Sequence, residues 1–203
     1  MFVLGLTGSI ATGKSTVVQI FQECQIPVVD GDLLAKGLQE KGSPALDLIA
    51  ETFGSDILLP EGKLNRERLA QIVFSSEKDL QKLNELLDPF LRQAFQEAID
   101  KHAYSGHKLL VVDIPLLFER NYRDIFDEVM LVYTDSSRQL ERLMNRNQFS
   151  QEEAQKRINA QWPIDKKKEL ADTIIDNSGS LEATKQQVLN WLEKHEQSKG
   201  GLI

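Results

Sequence analysis

Short apolar runs alternate with longer amphipathic stretches along the chain, and polar residues punctuate the short runs. The short runs do not alternate cleanly between apolar and polar positions, which indicates strands that are buried on both faces. Helical patterns separate these runs, with apolar residues three and four positions apart. The pattern therefore predicts an α/β fold with a doubly wound, parallel, five-stranded sheet. We expect the five strands at Phe2–Leu6, Pro27–Asp30, Leu109–Asp113, Glu128–Tyr133 and Thr173–Asp176.

The segment between the second and third predicted strands is too long to be a single crossover connection. Residues 33–107 read as almost wholly helical, so we predict an inserted helical subdomain there. Apolar residues from Leu80 to Ala98 recur at spacings of three and four, which indicates one amphipathic helix or a pair of helices. Asp88 and Pro89 interrupt this stretch. Because Asp favours the N-cap and Pro favours the first position of a helix, we expect a break or kink at Asp88.

The rest of the chain divides into a sheet core, a charged helical segment and a tail, all within one domain. The core is built from three stretches, residues 1–32, 108–135 and 171–196. An amphipathic helix, Leu181–Glu196, ends this core. Residues 136–170 are helical and charged, and we interpret them as a candidate lid. The tail, residues 197–203, contains two glycines and is expected to fray.

Composition narrows the class of protein. With 203 residues and 41% apolar content, the chain can bury a sizeable core. A net charge of −7 argues against a general nucleic-acid binder, which needs an excess of Lys and Arg. The single cysteine, Cys24, excludes an intrachain disulfide, and no apolar run approaches the roughly 20 residues of a membrane-spanning helix. We therefore expect a cytoplasmic protein, monomeric or weakly oligomeric, that binds small molecules and no membrane.

The strongest motif is the glycine-rich loop between the first strand and the helix that follows. Residues 8–15 read GSIATGKS and satisfy the phosphate-loop pattern G-x-x-x-x-G-K-S/T in its strand-loop-helix context. Gly8 and Gly13 permit the backbone to turn its N–H groups towards a phosphate. The alternative is a glycine-rich turn with an incidental lysine. As a nucleotide site, the loop is expected to use Lys14 for the β- and γ-phosphates, Ser15 for Mg²⁺ and Thr16 for the α-phosphate.

The third predicted strand ends in a carboxylate that is a candidate metal ligand. Asp113 can hold Mg²⁺ or its water shell, as a Walker-B-like acid does. An Asp at the end of a strand is also a common turn former or cap, and this alternative stays open. No N-K-x-D guanine-reading sequence follows the fourth strand, where Thr134-Asp135-Ser136-Ser137 stands instead. We therefore expect the nucleotide to be ATP and not GTP.

Two carboxylates lie at the carboxyl end of the second predicted strand, where open α/β sheets bind their ligands. A kinase that acts on an alcohol needs a carboxylate to orient the hydroxyl and accept its proton. Asp32 is our candidate for this general base, and Asp30 is a candidate for sharing the Mg²⁺ site or orienting the loop. Asp32 can instead be the N-cap of a helix that starts at Leu33, and the residues alone favour neither interpretation.

Three arginines lie four residues apart in the candidate lid. If their segment is helical, Arg138, Arg142 and Arg146 project from one face and form a surface that stabilises charge on a transferring phosphoryl group. The alternative is a solvated charged face, paired with neighbouring acids. For Lys166-Lys167-Lys168 we favour a solvated helix face over a ligand site.

Seven segments spread over nearly the whole chain carry a family resemblance. They are LTGSIATGKSTV (Leu6–Val17), VVDGD (Val28–Asp32), FGSDIL (Phe53–Leu58), GKLNRERLAQIVF (Gly62–Phe74), IPLLFE (Ile114–Glu119), RLMNRNQFSQEEAQKRINAQ (Arg142–Gln161) and ADTIIDNSGS (Ala171–Ser180). A generic phosphate-loop protein shares only the first. On these segments the chain resembles the dephospho-coenzyme A kinase family.

This resemblance implies transfer of the ATP γ-phosphoryl group to the ribose 3'-hydroxyl of dephospho-CoA, the last step of coenzyme A biosynthesis. It also implies a core domain that binds ATP, inserted helices that form the CoA domain, and a helical lid that closes over the site. Asp88-Pro89 departs from the His-Pro that is usual in the family. No role of that histidine is therefore transferred to this chain.

The resemblance further assigns roles to individual residues. It places the ATP phosphates on Ala11, Thr12 and the residues up to Thr16, the general base on Asp32, transition-state charge stabilisation on Lys14 and Arg142, a lid partner on Arg146, and the adenine near Asn177.

Two alternative functions remain. Because the phosphate loop does not select the acceptor, the chain can be a kinase for another nucleotide, nucleoside or small alcohol. It can also be a nucleotide-dependent switch without an acceptor.

Overall fold

The computed structural model describes residues 1–198. Within them the chain divides into two compact units. The sheet unit comprises residues 1–30 and the chain from His102 onward, and the inserted unit comprises Gly31–Lys101. A subdomain was predicted at residues 33–107, close to the bounds of the inserted unit, and its role in binding CoA stays a prediction.

The sheet has the predicted class and strand number. All pairings are parallel, and the strands lie in the order β2-β3-β1-β4-β5. The first strand is two residues longer than predicted, because it continues into the glycine loop, and the second begins one residue later. The strands are β1 (Phe2–Gly8), β2 (Val28–Asp30), β3 (Leu109–Asp113), β4 (Glu128–Tyr133) and β5 (Thr173–Asp176).

Nine α-helices lie within the described residues, with short 3₁₀ turns at Ser55–Ile57 and Arg123–Ile125. The candidate lid is three helices, and the sequence between them supplies clear ends. Asp135 caps the first of them and Ser150 caps the second in a capping box with Glu153. The helices are α1 (Lys14–Glu23), α2 (Gly31–Gly37), α3 (Pro44–Phe53), α4 (Arg66–Phe74), α5 (Glu77–Tyr104), α6 (Ser136–Asn147), α7 (Gln151–Asn159), α8 (Ile164–Leu170) and α9 (Leu181–Ser198).

Both faces of the sheet are buried. Leu109 of β3 is 2% exposed and the next three residues are fully buried, although successive side chains of a strand point to opposite faces. On one face the strands pack against Val17 and Phe21 of α1 and against Trp191 of α9. This burial explains why the strand runs of the sequence lack polar alternation.

The inserted unit is helical, and its longest helix corrects one prediction. The expected break at Asp88 is wrong, because α5 runs without interruption from Glu77 to Tyr104, and the alternative of a kink there stays a prediction. Pro89 removes one backbone hydrogen bond, yet buried apolar residues continue at every fourth position on both sides of it: Leu83, Leu87, Leu91 and Phe95. Asp88 pairs with Arg92 one turn later instead of capping a new helix. Packing along one stripe therefore overrides the local signal.

The C-terminal helix extends slightly beyond its predicted end. Helix α9 continues to Ser198, so residues 197 and 198 of the predicted frayed tail are helical. Residues 199–203, which make up the rest of that prediction, lie outside the described residues. Among residues 1–198, no helix is both long and apolar enough to cross a membrane.

Candidate active site

The glycine loop connects β1 to α1 and has two residues in the left-handed region. Ala11 has φ 62° and Gly13 has φ 88°. Gly13 is also the residue before α1, and a Cβ there would collide with the side-chain amide of Asn177. Glycine at position 13 is therefore required both by its backbone conformation and by space.

A cavity of about 860 Å³ lies over this loop, within the sheet unit. Its walls come from the loop, from the start of α1, from α6 and from the segment after β5. It brings together most of the predicted site residues, namely Gly8, Ala11, Gly13, Lys14, Ser15, Thr16, Arg142, Arg146 and Asn177. Ser9 also lines it, and the Ser9 hydroxyl is buried without a hydrogen-bond partner among the described residues. A polar ligand suits such a cavity.

Lys14 and Asp113 form an ion pair beside the cavity. The Lys14 ammonium donates a hydrogen bond to Oδ1 of Asp113, and the two side chains are 18% and 14% exposed. Asp113 ends β3, and its backbone is in register with Asp30 at the end of β2. Asp113 therefore engages the loop lysine directly, which a mere turn former would not do.

The three arginines of α6 have different surroundings. Arg142 lines the cavity and donates from Nη2 to the backbone oxygen of Asn177 at 2.9 Å, and Arg146 also lines the cavity. Arg138 instead pairs with Asp135 at 3.3 Å, with about half of each side chain exposed. The interpretation as a solvated face therefore fits Arg138, while the other two arginines reach the predicted site.

Thr12 and Asn177 are bonded to protein atoms in this structure. The backbone N–H and the hydroxyl of Thr12 both donate to the oxygen of Ser9, at 3.2 and 2.9 Å. Asn177 donates from Nδ2 to the oxygen of Thr12 and accepts from the Thr184 hydroxyl, each at 2.8 Å. Both residues support the loop, and their predicted contacts with nucleotide stay predictions.

The two acidic residues at the carboxyl end of β2, Asp30 and Asp32, lie in separate units. Asp30 ends the strand in the sheet unit, whereas Asp32 is an exposed residue of the inserted unit. The proposed N-cap role of Asp32 does not match the helix bounds, because α2 begins at Gly31 and places Asp32 inside the first turn. An acid there still interacts favourably with the helix dipole.

Sequence reasoning missed Lys167. Its side chain was predicted to be solvated but is fully buried in α8. The Lys167 ammonium lies 2.7 Å from Glu119 Oε1, 3.3 Å from the oxygen of Pro115 and 3.4 Å from the oxygen of Gly8. Burial lowers the pKa of Lys167, and the ion pair with Glu119 partly opposes this shift. A run of three lysines gives no signal that the middle one has a buried partner.

Two glutamines that no motif identified also hold the loop. Gln139 of α6 donates from Nε2 to the oxygen of Ile10, and Gln161 accepts at Oε1 from the N–H of Ile10, both at 2.8 Å. Gln139 is 2% exposed. Gln161 ends one of the segments that carry the family resemblance, but uncharged amides have no distinctive spacing, so the sequence gave no signal of the role of either glutamine.

Known proteins are similar to this chain in both sequence and fold. The family model for dephospho-CoA kinase matches residues 2–183. A dephospho-CoA kinase of Enterococcus faecalis is 51% identical over 95% of this chain and 96% of its own. Another, from Bacillus licheniformis, is 46% identical over 94% and 95%.

Solved structures agree with these matches. A dephospho-CoA kinase from Campylobacter jejuni has a TM-score of 0.72 at 30% identity and covers 98% of each chain. TT1252 from Thermus thermophilus has a TM-score of 0.80 at 28% identity, over 95% and 97%. A shikimate kinase from Acinetobacter baumannii, with a TM-score of 0.52 at 15% identity, covers 98% and 95% and shares the fold alone.

Proposed function

The chain belongs to the dephospho-CoA kinase family, and we propose how its residues carry out that reaction. The enzyme transfers the γ-phosphoryl group of ATP to dephospho-CoA in the last step of coenzyme A biosynthesis. The proposal depends on one observation above all: the glycine loop, Lys14 and Arg142 line one cavity. Phosphoryl transfer requires mainly positioning and charge stabilisation, which such a cavity can supply.

The ATP phosphates bind at the glycine loop and the start of α1. The first turn of α1 contributes backbone N–H groups and the positive end of its dipole. Lys14 moves from Asp113 to the β- and γ-phosphates, because the triphosphate offers more negative charge than one carboxylate. The unpartnered hydroxyl of Ser9 supports a polar ligand at this position.

The residues of the site fit Mg²⁺ held largely by its substrate. Among residues 1–198, no group of three or more His, Cys, Asp or Glu side chains could hold a metal ion. Mg²⁺ needs few protein ligands, since it keeps several waters and binds phosphate oxygens. Ser15 lines the cavity, and Asp113 becomes available to the metal when Lys14 turns to the phosphates. Bound there, Mg²⁺ would neutralise charge on the β- and γ-phosphates.

Arg142 and Arg146 stabilise the charge that develops on the transferring group. A planar guanidinium makes paired hydrogen bonds to phosphoryl oxygens, which suits this role. The bond from Arg142 to the backbone of Asn177 fixes its position before the substrate arrives. Arg146, at the end of α6, is the second cation of the pair.

Asp32 is the proposed general base. It follows by two residues the carboxyl end of β2, which pairs with β3 at Asp113. In an open α/β sheet, ligands bind at this edge. A carboxylate there can accept the proton of a ribose hydroxyl.

Mass spectrometry of dephospho-CoA incubated with ATP, Mg²⁺ and the protein tests the reaction. We expect dephospho-CoA to gain one phosphoryl group, on the ribose 3'-hydroxyl. Faster phosphorylation of AMP or uridine would favour a different kinase, and ATP turnover that labels no small molecule would favour a switch. The cytoplasmic location and the monomeric or weakly oligomeric state stay predictions.

The substitution Asp32→Asn tests the general base. We expect turnover to fall by about 10²- to 10⁴-fold while ATP affinity stays nearly unchanged, because a proton acceptor is lost and the phosphate site is intact. Asp47→Asn is the matched control, since Asp47 is another exposed acid in the first turn of a helix of the inserted unit. Wild-type turnover in Asp32→Asn would refute the assignment.

A further inference from the structure

Two buried carboxamides hold alternate carbonyl groups of the glycine loop. Gln139 Nε2 donates to the oxygen of Ile10, and Asn177 Nδ2 donates to the oxygen of Thr12, each at 2.8 Å. We call Gln139 and Asn177 the carbonyl tethers. They are 2% and 7% exposed, so water competes weakly for these hydrogen bonds.

Each tether also determines the direction of one backbone amide. No peptide bond in the described residues is cis, and in a planar trans peptide the C=O and the following N–H point in opposite directions. The N–H groups of Ala11 and Gly13 therefore point away from Gln139 and Asn177. Ala11 and Gly13 both line the cavity over the loop.

On the premise of the proposed function, we propose that Gln139 and Asn177 are positioning residues that preset the amides of Ala11 and Gly13 to bind the phosphates of ATP. Both act on the loop through its carbonyls, and Asn177 also lines the cavity over the loop. A phosphate site whose amides are already oriented binds without the cost of reorganising the loop.

The backbone conformation of the loop makes such support necessary. Ala11 has φ 62°, which an L-residue with a side chain rarely adopts, and such strain persists only where the surroundings over-determine it. The peptide group before Ala11 is held by Gln139, and the N–H of Ile10 is held by Gln161 at 2.8 Å. The residue before the strained position is thus bonded on both sides.

The tethers are themselves fixed. The Thr184 hydroxyl donates to Oδ1 of Asn177 at 2.8 Å, which determines the orientation of its amide. Gln139 lies three residues before Arg142 on α6, so the helix that carries the proposed charge-stabilising arginine also holds the loop. Arg142 in turn bonds the backbone of Asn177. One connected group of hydrogen bonds therefore sets the distance between Arg142 and the loop amides that we propose bind the phosphates.

Titration of the full-length protein with ATP and, separately, with adenosine tests the proposal. Gln139→Met removes the donor at similar volume. We expect ATP affinity to fall about tenfold and kcat to fall about 10- to 100-fold, because phosphate amides are misdirected. Adenosine affinity should stay unchanged, because adenosine has no phosphate. Gln155→Met is the matched control, since Gln155 is exposed and its side-chain amide donates to Asn159 in the same helix.

The outcomes separate this proposal from the proposed function. Unchanged ATP affinity in a folded Gln139→Met protein, or an equal loss for adenosine, would overturn the role of the tethers even if the wild type makes CoA. Conversely, a loss confined to ATP would support the tethers even if dephospho-CoA is not the acceptor. Should Gln139→Met fail to fold, Thr184→Val decides by the same two titrations, because Thr184 donates to Oδ1 of Asn177 and so orients the second tether.

Discussion

The strands of the parallel sheet carry similar polar residues at their carboxyl ends and at their amino ends, which we call the carboxyl edge and the amino edge. The two sets of residues have different roles. At the carboxyl edge, Asp113 pairs with Lys14 beside a cavity of about 860 Å³. At the amino edge, Asp127, Glu128 and Asp172 are bonded into the fold. A carboxylate at the end of a strand therefore says little about function until its partners are known.

Two aspartates at the amino edge complete the hydrogen-bond ladders of the sheet. Asp127 donates its N–H to the oxygen of Val3 at 3.0 Å and accepts the N–H of Val3 at Oδ2 at 2.7 Å. Asp172 repeats this exchange with Val129, again at 3.0 and 2.7 Å. Each carboxylate thus satisfies a strand N–H that would otherwise lack a partner at the sheet edge.

Glu128 anchors the C-terminal helix to the same edge. Its Oε1 accepts from the Thr173 hydroxyl at 2.7 Å and from Trp191 Nε1 at 2.8 Å, while Oε2 lies 3.0 Å from His195 Nε2. These partners belong to the protein and stay in place. At the carboxyl edge, by contrast, Lys14 has a second partner in the proposed triphosphate. Under the proposed function, the Lys14–Asp113 pair therefore differs from the contacts of Glu128 because a ligand can separate its two members.

The largest effect that this comparison predicts is from Lys14→Met. We expect kcat/KM to fall about 10²- to 10³-fold, because the variant loses the cation that we propose stabilises the transferring phosphoryl group. The free energy of unfolding should also fall, by on the order of 2 kcal/mol, because the mostly buried Asp113 loses its cation. Steady-state kinetics and urea unfolding measure the two quantities.

The double variant Lys14→Met/Asp113→Asn sharpens the test. Removing the charge of Asp113 should restore most of the lost stability without restoring activity, because the remaining neutral pair costs little to bury. Recovery of activity together with stability would contradict a role for Lys14 in catalysis. The Lys14–Asp113 pair would then have only a structural role, as the acidic residues at the amino edge do.

The sheet was largely predictable from sequence, for a physical reason. Strands buried on both faces appear as short apolar runs, and all five runs became strands. The break at Asp88 failed because a local capping signal competes with packing along the whole of α5, which the buried stripe from Leu83 to Phe95 decides. Short-range signals therefore predict element type better than they predict where a long helix stops.

The site was predictable where a motif, a helical spacing or the family resemblance indicates it. The glycine loop and Lys14 have fixed spacing, so sequence locates them. The surroundings of Lys167 depend on Glu119, which is distant in the chain, and the bonds of Gln139 depend on how α6 packs on the loop. Partners that meet only through tertiary structure leave no local pattern. Likewise, spacing placed Arg138 with Arg142, although only the latter lines the cavity.

The next largest effect is expected at the amino edge, from Glu128→Gln. The free energy of unfolding should fall by about 1–2 kcal/mol, because the bond to His195 loses its charged acceptor while the contacts of Oε1 can persist. Turnover should stay at the wild-type level, because Glu128 lies at the opposite edge from the cavity. Glu193→Gln is the control, because Glu193 is an exposed residue of α9, the helix that Glu128 anchors.

The difference in the free energy of unfolding between wild type and Glu128→Gln should depend on pH with a definite sign. Burial opposes ionisation of Glu128, but hydrogen bonds from Thr173, Trp191 and His195 outweigh it, so its pKa lies below the ordinary value of 4.5. A lowered pKa contributes stability above that value and loses it as pH falls through the folded pKa. The difference in the free energy of unfolding between wild type and Glu128→Gln, measured by urea unfolding, should therefore narrow as pH falls below about 4.5. A gap that widens would contradict the assignment.

The smallest effect expected is from Asp172→Asn, which separates the ladder role of this residue from its charge. Asn retains an oxygen that can accept the N–H of Val129, but it loses the ion pair with Arg123 at 2.8 Å. Because both side chains of that pair are 39% exposed, the free energy of unfolding should fall by only about 0.5–1 kcal/mol. Salt near 0.5 M should reduce the difference further, since exposed charges are screened.

The variant Asp172→Ala removes the hydrogen-bond acceptor as well. Its free energy of unfolding should be about 1 kcal/mol lower than that of Asp172→Asn, and salt should not change this additional loss. A loss of turnover in either variant would show that the amino edge also serves catalysis.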